Sequence, residues 1–235
     1  MQKPVIEVHS LCAYRKSQST GAGGHDGGED LLQPLGGGDG RRPSLPELSI
    51  PNHRAYAERH GLRYVLHTEL PRPELEPQYN KMTVVRRALE SSTATDWILF
   101  IDCDAFFTNF QVQIVDILAT YTPREHDNVD KGRSSAGPHF LVAEDPGGIN
   151  TGVFLVQNVP WTIDFLTRVE ANAFRVAWDQ SMFFWEMLWP SLLDERSILA
   201  GDFELPPEVA LVHQAHLNAY VPPASRDWRA HEWQP

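Results

Sequence analysis

The sequence predicts an α/β domain built on a mainly parallel sheet, and three observations carry that expectation. Stretches of strand character and stretches with helical spacing alternate through most of the chain, the pattern of a sheet covered by helices. Trp97 to Ile101 is apolar without interruption, as a strand buried on both faces must be. The chain has 235 residues, 42% of them hydrophobic, enough to bury a sizeable core as one domain.

Pro4 to Leu11 reads as the first strand, and its start so near Met1 predicts that little precedes the domain. Nine of the residues from Ser19 to Gly40 are glycine. Such a segment has too little apolar surface to offset its ordering entropy. Residues 17–46 are therefore expected to form a flexible glycine-rich insertion, or a lid, within a single domain spanning 1–235. No G-K-[ST] follows these glycines, so they make no phosphate loop. Asn52 is a candidate cap for a helix over Ala55 to His60, which Gly61 stops. Leu62 to His67 is the second strand and Pro71 to Pro77 a loop. Asn80 to Glu90 carries Met82, Val85 and Leu89 at helical spacing and leads into the central strand. A short helix closes over Asp116 to Thr120, a polar loop covers Thr122 to Gly137, and strands follow at His139 to Ala143 and Val153 to Gln157. Helices at Trp161 to Ala171 and Asp179 to Trp189, then a strand at Val209 to His213, complete the alternation. No internal repeat is visible.

Composition removes several function classes. A net charge of −11 argues against nucleic-acid binding, which needs a basic face. No stretch approaches the roughly 20 apolar residues of a membrane span. Glu7 and His9 interrupt the only apolar start, so no secretory signal is read. Cys12 and Cys103 each end a strand. They can pair, but two free thiols in a reducing compartment is the simpler expectation, which points to a soluble, cytoplasmic protein.

The chemistry is expected where the central strand ends, because ligands of such sheets bind beyond the carboxyl ends of strands. Asp102 and Asp104 stand there on one side of the chain, with Cys103 facing the other. Two carboxylates so close raise each other's pKa unless a cation lies between them. A hard divalent ion with oxygen ligands supplies that cation and can hold a diphosphate as well. The plain alternative is that Asp104 caps a turn while Asp102 is solvated.

Three further clusters give this pair its context. Gly147 to Gly152, ahead of the strand, reads as a turn in which Asn150, Thr151 and Gly152 come close to a ligand, or as an ordinary strand entry. Trp178, Asp179 and Gln180 open a helix that is apolar all round and so buried. Asp179 and Gln180 then either face a cleft or simply cap that helix, and Trp178 either stacks on a sugar or packs at a rim. His213 ends the last strand, in position to join Asp104 as a metal ligand, with His216 as the competitor.

Taken together, N-K-M-T-V-V-R-R-A-L at Asn80 to Leu89, W-I-L-F-I-D-C-D-A, G-I-N-T-G-V-F-L-V-Q-N, W-D-Q-S and V-H resemble the galactosyltransferase family of yeast mannan-type galactosyl- and mannosyltransferases and plant xyloglucan xylosyltransferases. The resemblance runs from about Asn52 to His216, and N-T-G-V-F-L followed by D-Q-S is its most specific part. It implies a GT-A nucleotide-sugar-binding fold and a metal-dependent, retaining glycosyltransferase moving a sugar from a UDP- or GDP-sugar to a glycan or other hydroxyl acceptor. Manganese or magnesium would be the cofactor. Asp102 would contact the donor's ribose or sugar side and share the metal with Asp104 and His213. Asn150, Thr151, Gly152, Asp179 and Gln180 would line the sugar and acceptor site. Lys81 would reach a phosphate or the donor, unless it is a plain surface lysine. The chain departs from the pattern at Trp178, where an acidic residue often stands, and at Gln157, where Arg is usual; no Gly-Cys follows His213. Family members usually carry a membrane anchor and sit in the Golgi. The rival readings are a haloacid-dehalogenase-type phosphatase, which also follows a strand with D-x-D, and a non-catalytic nucleotide-sugar-binding relative.

Overall fold

A computed structural model describes residues 3–13, 43–122, 137–145, 148–173, 178–193 and 204–217. Six strands of the described residues form one sheet: β1 (Ile6–Leu11), β2 (Arg63–His67), β3 (Trp97–Ile101), β4 (Phe140–Asp145), β5 (Gly148–Gln157) and β6 (Val209–Val212). Their order is β2-β1-β3-β5-β4-β6. β1 lies parallel to both β2 and β3, and β4 parallel to β6, while β5 runs antiparallel between β3 and β4. The sheet is thus mixed but mostly parallel, and every residue of β3 is buried, as its unbroken apolar run required.

Among the described residues, six α-helices cover the two faces: α1 (Leu45–His60), α2 (Asn80–Ser91), α3 (Ile114–Tyr121), α4 (Pro160–Ala171), α5 (Asp179–Leu192) and α6 (Gln214–Leu217). Pleating splits β3 between them. Trp97, Leu99 and Ile101 pack with Tyr56 and Ala57 of α1 and with Ile117 and Leu118 of α3. Ile98 and Phe100 pack with Met82, Val85 and Leu89 of α2, Phe165 of α4 and Phe183 of α5. Phe140, Phe154, Phe165 and Phe183 stack or tilt against one another in this second core. Each such buried ring contributes about 1.5–3 kcal/mol.

Three expectations are corrected. The first helix starts at Leu45, not near Ala55, and its cap is Ser44, not Asn52. The Ser44 backbone N–H donates to Glu47 Oε2 at 2.6 Å in a capping box. Pro46 sits in the first turn, where its missing N–H costs nothing. The expected insertion therefore ends before Ser44, and residues 17–42 lie outside those described. The second correction is at Gly148 to Gly152, which are part of β5 and not a turn before it. A register shift against β4 at Val142 and Ala143 gives this stretch its irregularity. Gly147 and most of the loop expected over 122–137 lie outside the described residues. The third is that Cys12 and Cys103 are joined in a disulfide, with Cα atoms 5.2 Å apart, and are not free thiols. No described helix is long and apolar enough to cross a membrane.

Candidate active site

The alternation along β3 continues past its end and decides what each residue meets. Asp102 follows Ile98 and Phe100 onto the α2 face, and Cys103 follows the odd residues onto the α1 face. On the α2 face the Lys81 ammonium donates to Asp102 Oδ2 at 2.8 Å and to the Thr151 carbonyl at 3.1 Å. It also lies 2.9 Å from Asp179 Oδ2. Thr151 Oγ1 donates to the same Asp179 oxygen at 2.8 Å. Helices α2 and α5, strand β5 and the turn that follows β3 thus each send one side chain to a single point. Lys81 is 3% exposed and Asp179 8%, so Lys81 is no surface lysine.

β5 supplies the floor. The Asp102 N–H donates to the Gly152 carbonyl at 2.7 Å, and the Gly152 N–H donates to Asn150 Oδ1 at 2.8 Å. A Cβ at Gly152 would come within 2.9 Å of Asn150 Oδ1 and 3.3 Å of Asp102 Oδ2. Glycine there is what lets β5 approach the acidic turn.

Burial alone would lower the Lys81 pKa, but the charges of Asp102 and Asp179 outweigh it and raise the value, so the ammonium stays charged. Burial pushes Asp102 up to about 6; Lys81 pulls against this, while Asp179 and Asp104 add to it. Asp104 is exposed. Three carboxylates against one ammonium leave this end of the sheet an electronegative mouth that attracts cations.

The acidic pair fits a divalent ion in part. A carboxylate offers about four acceptor positions; Lys81 uses one on Asp102, and Asp104 is open to solvent. Magnesium-type ions are commonly held by one or two carboxylates with substrate phosphates completing the shell. No three His, Cys, Asp or Glu side chains among the described residues converge as a ready-made metal cage. His213 follows β6, three positions from β3 in the sheet, a lateral step of roughly 14 Å at the usual strand spacing. Its Nδ1 accepts from the Ala215 N–H at 3.2 Å and its own N–H donates to Tyr121 Oη at 2.8 Å. Tyr121 Oη also pairs with His216 Nδ1 at 3.0 Å. Both histidines are exposed, on the same edge of the sheet as Asp102 and Asp104.

Of the residues singled out by sequence, Lys81, Asp102, Asn150, Thr151, Gly152 and Asp179 come together. Gln180 is half-buried at the same helix end, and Trp178, just before it, is 63% exposed. Sequence reasoning missed Tyr79, whose phenol pKa is raised by burial and then by the Asp179 charge; its place beside Asn80 and Lys81 was the available signal. It also missed α1 as a scaffold. His53 Nε2 lies 2.8 Å from the Ala105 carbonyl, Asn52 bonds both the N–H and carbonyl of Phe107, and Tyr56 Oη donates to the Val112 carbonyl at 2.7 Å. The segment after the acidic turn is laid along that helix.

The fold is similar to that of a glycosyltransferase involved in glycosylation of the major capsid of PBCV-1. The TM-score is 0.54 at 12% identity, over 90% of this chain and 83% of that one. In sequence the chain is 32% identical over 152 residues to probable glycosyltransferase 7 of rice (Oryza sativa), covering 62% of this chain and 32% of that protein. Probable xyloglucan 6-xylosyltransferase 5 of Arabidopsis thaliana is 32% identical over 119 residues, covering 50% of this chain and 24% of that protein. Probable alpha-1,6-mannosyltransferase MNN10 of Saccharomyces cerevisiae is 26% identical over 136 residues, covering 51% and 35%. The chain spans about a third or less of the length of these curated relatives. The galactosyl transferase GMA12/MNN10 family model matches residues 37–234, and with this match across most of its length, the GT-A fold and the acidic turn at the end of β3, the chain belongs to that family.

Proposed function

We propose that this chain is the catalytic domain of a metal-dependent, retaining glycosyltransferase that moves a sugar from a UDP- or GDP-sugar to a glycan or other hydroxyl acceptor. The observation that carries this is the buried Lys81 ammonium neutralising Asp102 and Asp179 at the strand end while Asp104 stays open to solvent. That arrangement suits a diphosphate arriving with its own cation. Asp104 and Asp102 would hold manganese or magnesium, with His213 or His216 as the candidate third protein ligand. Such an ion supplies stabilisation of the charge developing on the departing diphosphate.

The remaining work belongs to the chain. Lys81 fixes Asp102 and Asp179 in one geometry, so that neither pays for reorganisation when the donor binds. Asn150, Thr151 and Gly152 offer polar groups along β5 for sugar hydroxyls. Asp179 Oδ2 is already engaged by Lys81 and Thr151, which weakens it as a nucleophile. This supports same-face attack, with Asp179 and Gln180 holding donor or acceptor hydroxyls, over a covalent glycosyl-enzyme. The phosphatase reading fares worse, since its D-x-D strand normally opens the domain and β3 is third in the chain. The disulfide favours an oxidising compartment over the cytoplasm.

Proton NMR of the transfer product tests the mechanism. The new bond should keep the donor's anomeric configuration; an inverted product would refute retention.

A further inference from the structure

The D-C-D turn is held on the α2 face by the Lys81–Asp102 ion pair, and something must hold it on the other. The parallel register of β1 and β3 sets His9 opposite Phe100; three residues further on, Cys12 stands opposite Cys103. The two are disulfide-bonded, and Ser49 Oγ of α1 lies 3.6 Å from Cys103 Sγ. The crosslinked residue is therefore the one between the two aspartates.

We infer that the Cys12–Cys103 disulfide positions the acidic turn for metal–diphosphate binding, which makes donor binding sensitive to thiols. The inference rests on the glycosyltransferase reading above. Asp102 has a second anchor in Lys81, but Asp104 is exposed and takes its position from Cys103 before it and Ala105 after it. With the disulfide cut, the β1 tether is lost and Asp104 is held only from the far side, through the bonds of Ala105 to His53 and to the Asp102 carbonyl, so more of its ordering falls to the ligand. Fixing even one freed residue costs about a tenfold loss of affinity.

Access supports reversibility. Cys103 is 4% exposed, whereas Cys12 is half-buried, so a dithiol's thiolate attacks Cys12 Sγ. The S–S bond breaks and Cys103 leaves as a thiolate that takes up a proton. The reductant's second thiol then displaces Cys12, closing its own disulfide. Two electrons and two protons pass to the cysteine pair.

The test is calorimetric titration of the full chain, well below its melting temperature, with UDP and with GDP, each with and without manganese. Oxidised protein, dithiol-reduced protein, reoxidised protein and the Cys12→Ser/Cys103→Ser variant are compared, with near-ultraviolet circular dichroism reporting the fold. The expected result is that reduction and the double variant weaken manganese-dependent binding about tenfold or more, while binding without metal changes little. Reoxidation restores the wild type and leaves the variant unchanged. Equal affinity in both redox states overturns the inference and leaves the glycosyltransferase reading standing. An equal fall with and without metal also overturns it, since the disulfide would then only staple the fold. No binding of either nucleotide by the oxidised protein overturns the underlying reading.

Discussion

Replacing Lys81 by Met removes the ammonium while keeping most of the side chain's volume, and its consequence can be worked from the site. Lys81 is 3% exposed and contacts Asp102 Oδ2 at 2.8 Å and Asp179 Oδ2 at 2.9 Å. Removing one partner of a buried ion pair costs about 3–5 kcal/mol, because the remaining charge is stranded. Here two carboxylates are stranded, but the Asp102 side chain keeps 30% of its exposure, which returns part of the loss through water. We expect Lys81→Met to lose about 3–4 kcal/mol at pH 7.5, or roughly 6–16 °C in Tm for a domain of this size. Without the ammonium, which pulls the Asp102 pKa down, that carboxyl protonates more readily, so the loss should shrink at pH 5.5. Lys81→Met/Asp179→Asn, which removes one stranded charge, should recover part of it. Urea unfolding at the two pH values measures all three quantities. A loss below about 1 kcal/mol at pH 7.5, or the same loss at both pH values, would refute the account of Lys81 as the neutralising centre.

Asp104→Asn, at an exposed position, should leave stability within about 0.5 kcal/mol while abolishing manganese-dependent nucleotide binding, read by calorimetry. Gly152→Ala forces a Cβ against Asn150 and Asp102 and should cost about 1–3 kcal/mol in urea unfolding; a neutral effect would mean that β5 has room to shift. The third of these predictions concerns acid. Burial, and then the neighbouring His9, lower the His67 pKa to about 4. Between pH 6.5 and 4 the unfolded chain binds a proton that the native state refuses, so this stability is present above pH 6.5 and lost as pH falls. Because His67 is only half-buried, water screens part of this, and the loss amounts to about 1–2 kcal/mol by pH 4. Asp102, raised to about 6, works in the opposite sense, its folded form gaining relative stability as pH falls below 6. His67→Gln should therefore flatten the acid loss seen in the wild type, whereas parallel stability–pH curves would contradict the shift.

What the sequence made legible was local. β3 announced itself because a strand covered on both faces tolerates no polar residue, and α2 because Met82, Val85 and Leu89 recur on one face. The acidic turn followed from the same run, since the polar residues begin where the sheet's cover ends. What stayed hidden was set by partners distant in the chain. Lys81 reads as surface or substrate-binding until α2 is docked against β3 and α5. Cys12 and Cys103, each at a strand end, could be read as a pair or as two free thiols until β1 and β3 are known to be parallel and in register. The start of α1 was obscured because it follows the glycine-rich stretch, whose low apolar content extended the expected insertion to residue 46, although Ser44 and Glu47 held the capping signal. Gly148 to Gly152 were read as a turn because glycine density says nothing of strand pairing. The metal-ligand role of His213 remains a proposal, with His216 beside it on Tyr121.

The most direct measurement of the central claim is the melting temperature with UDP or GDP, each with and without manganese. A ligand that binds only the folded state at 100 times its Kd adds about 2.7 kcal/mol, roughly 5–11 °C for a domain of this size. The account predicts that rise when metal and nucleotide are present together, and its disappearance in Asp104→Asn. Unchanged melting in every metal–nucleotide combination would contradict it.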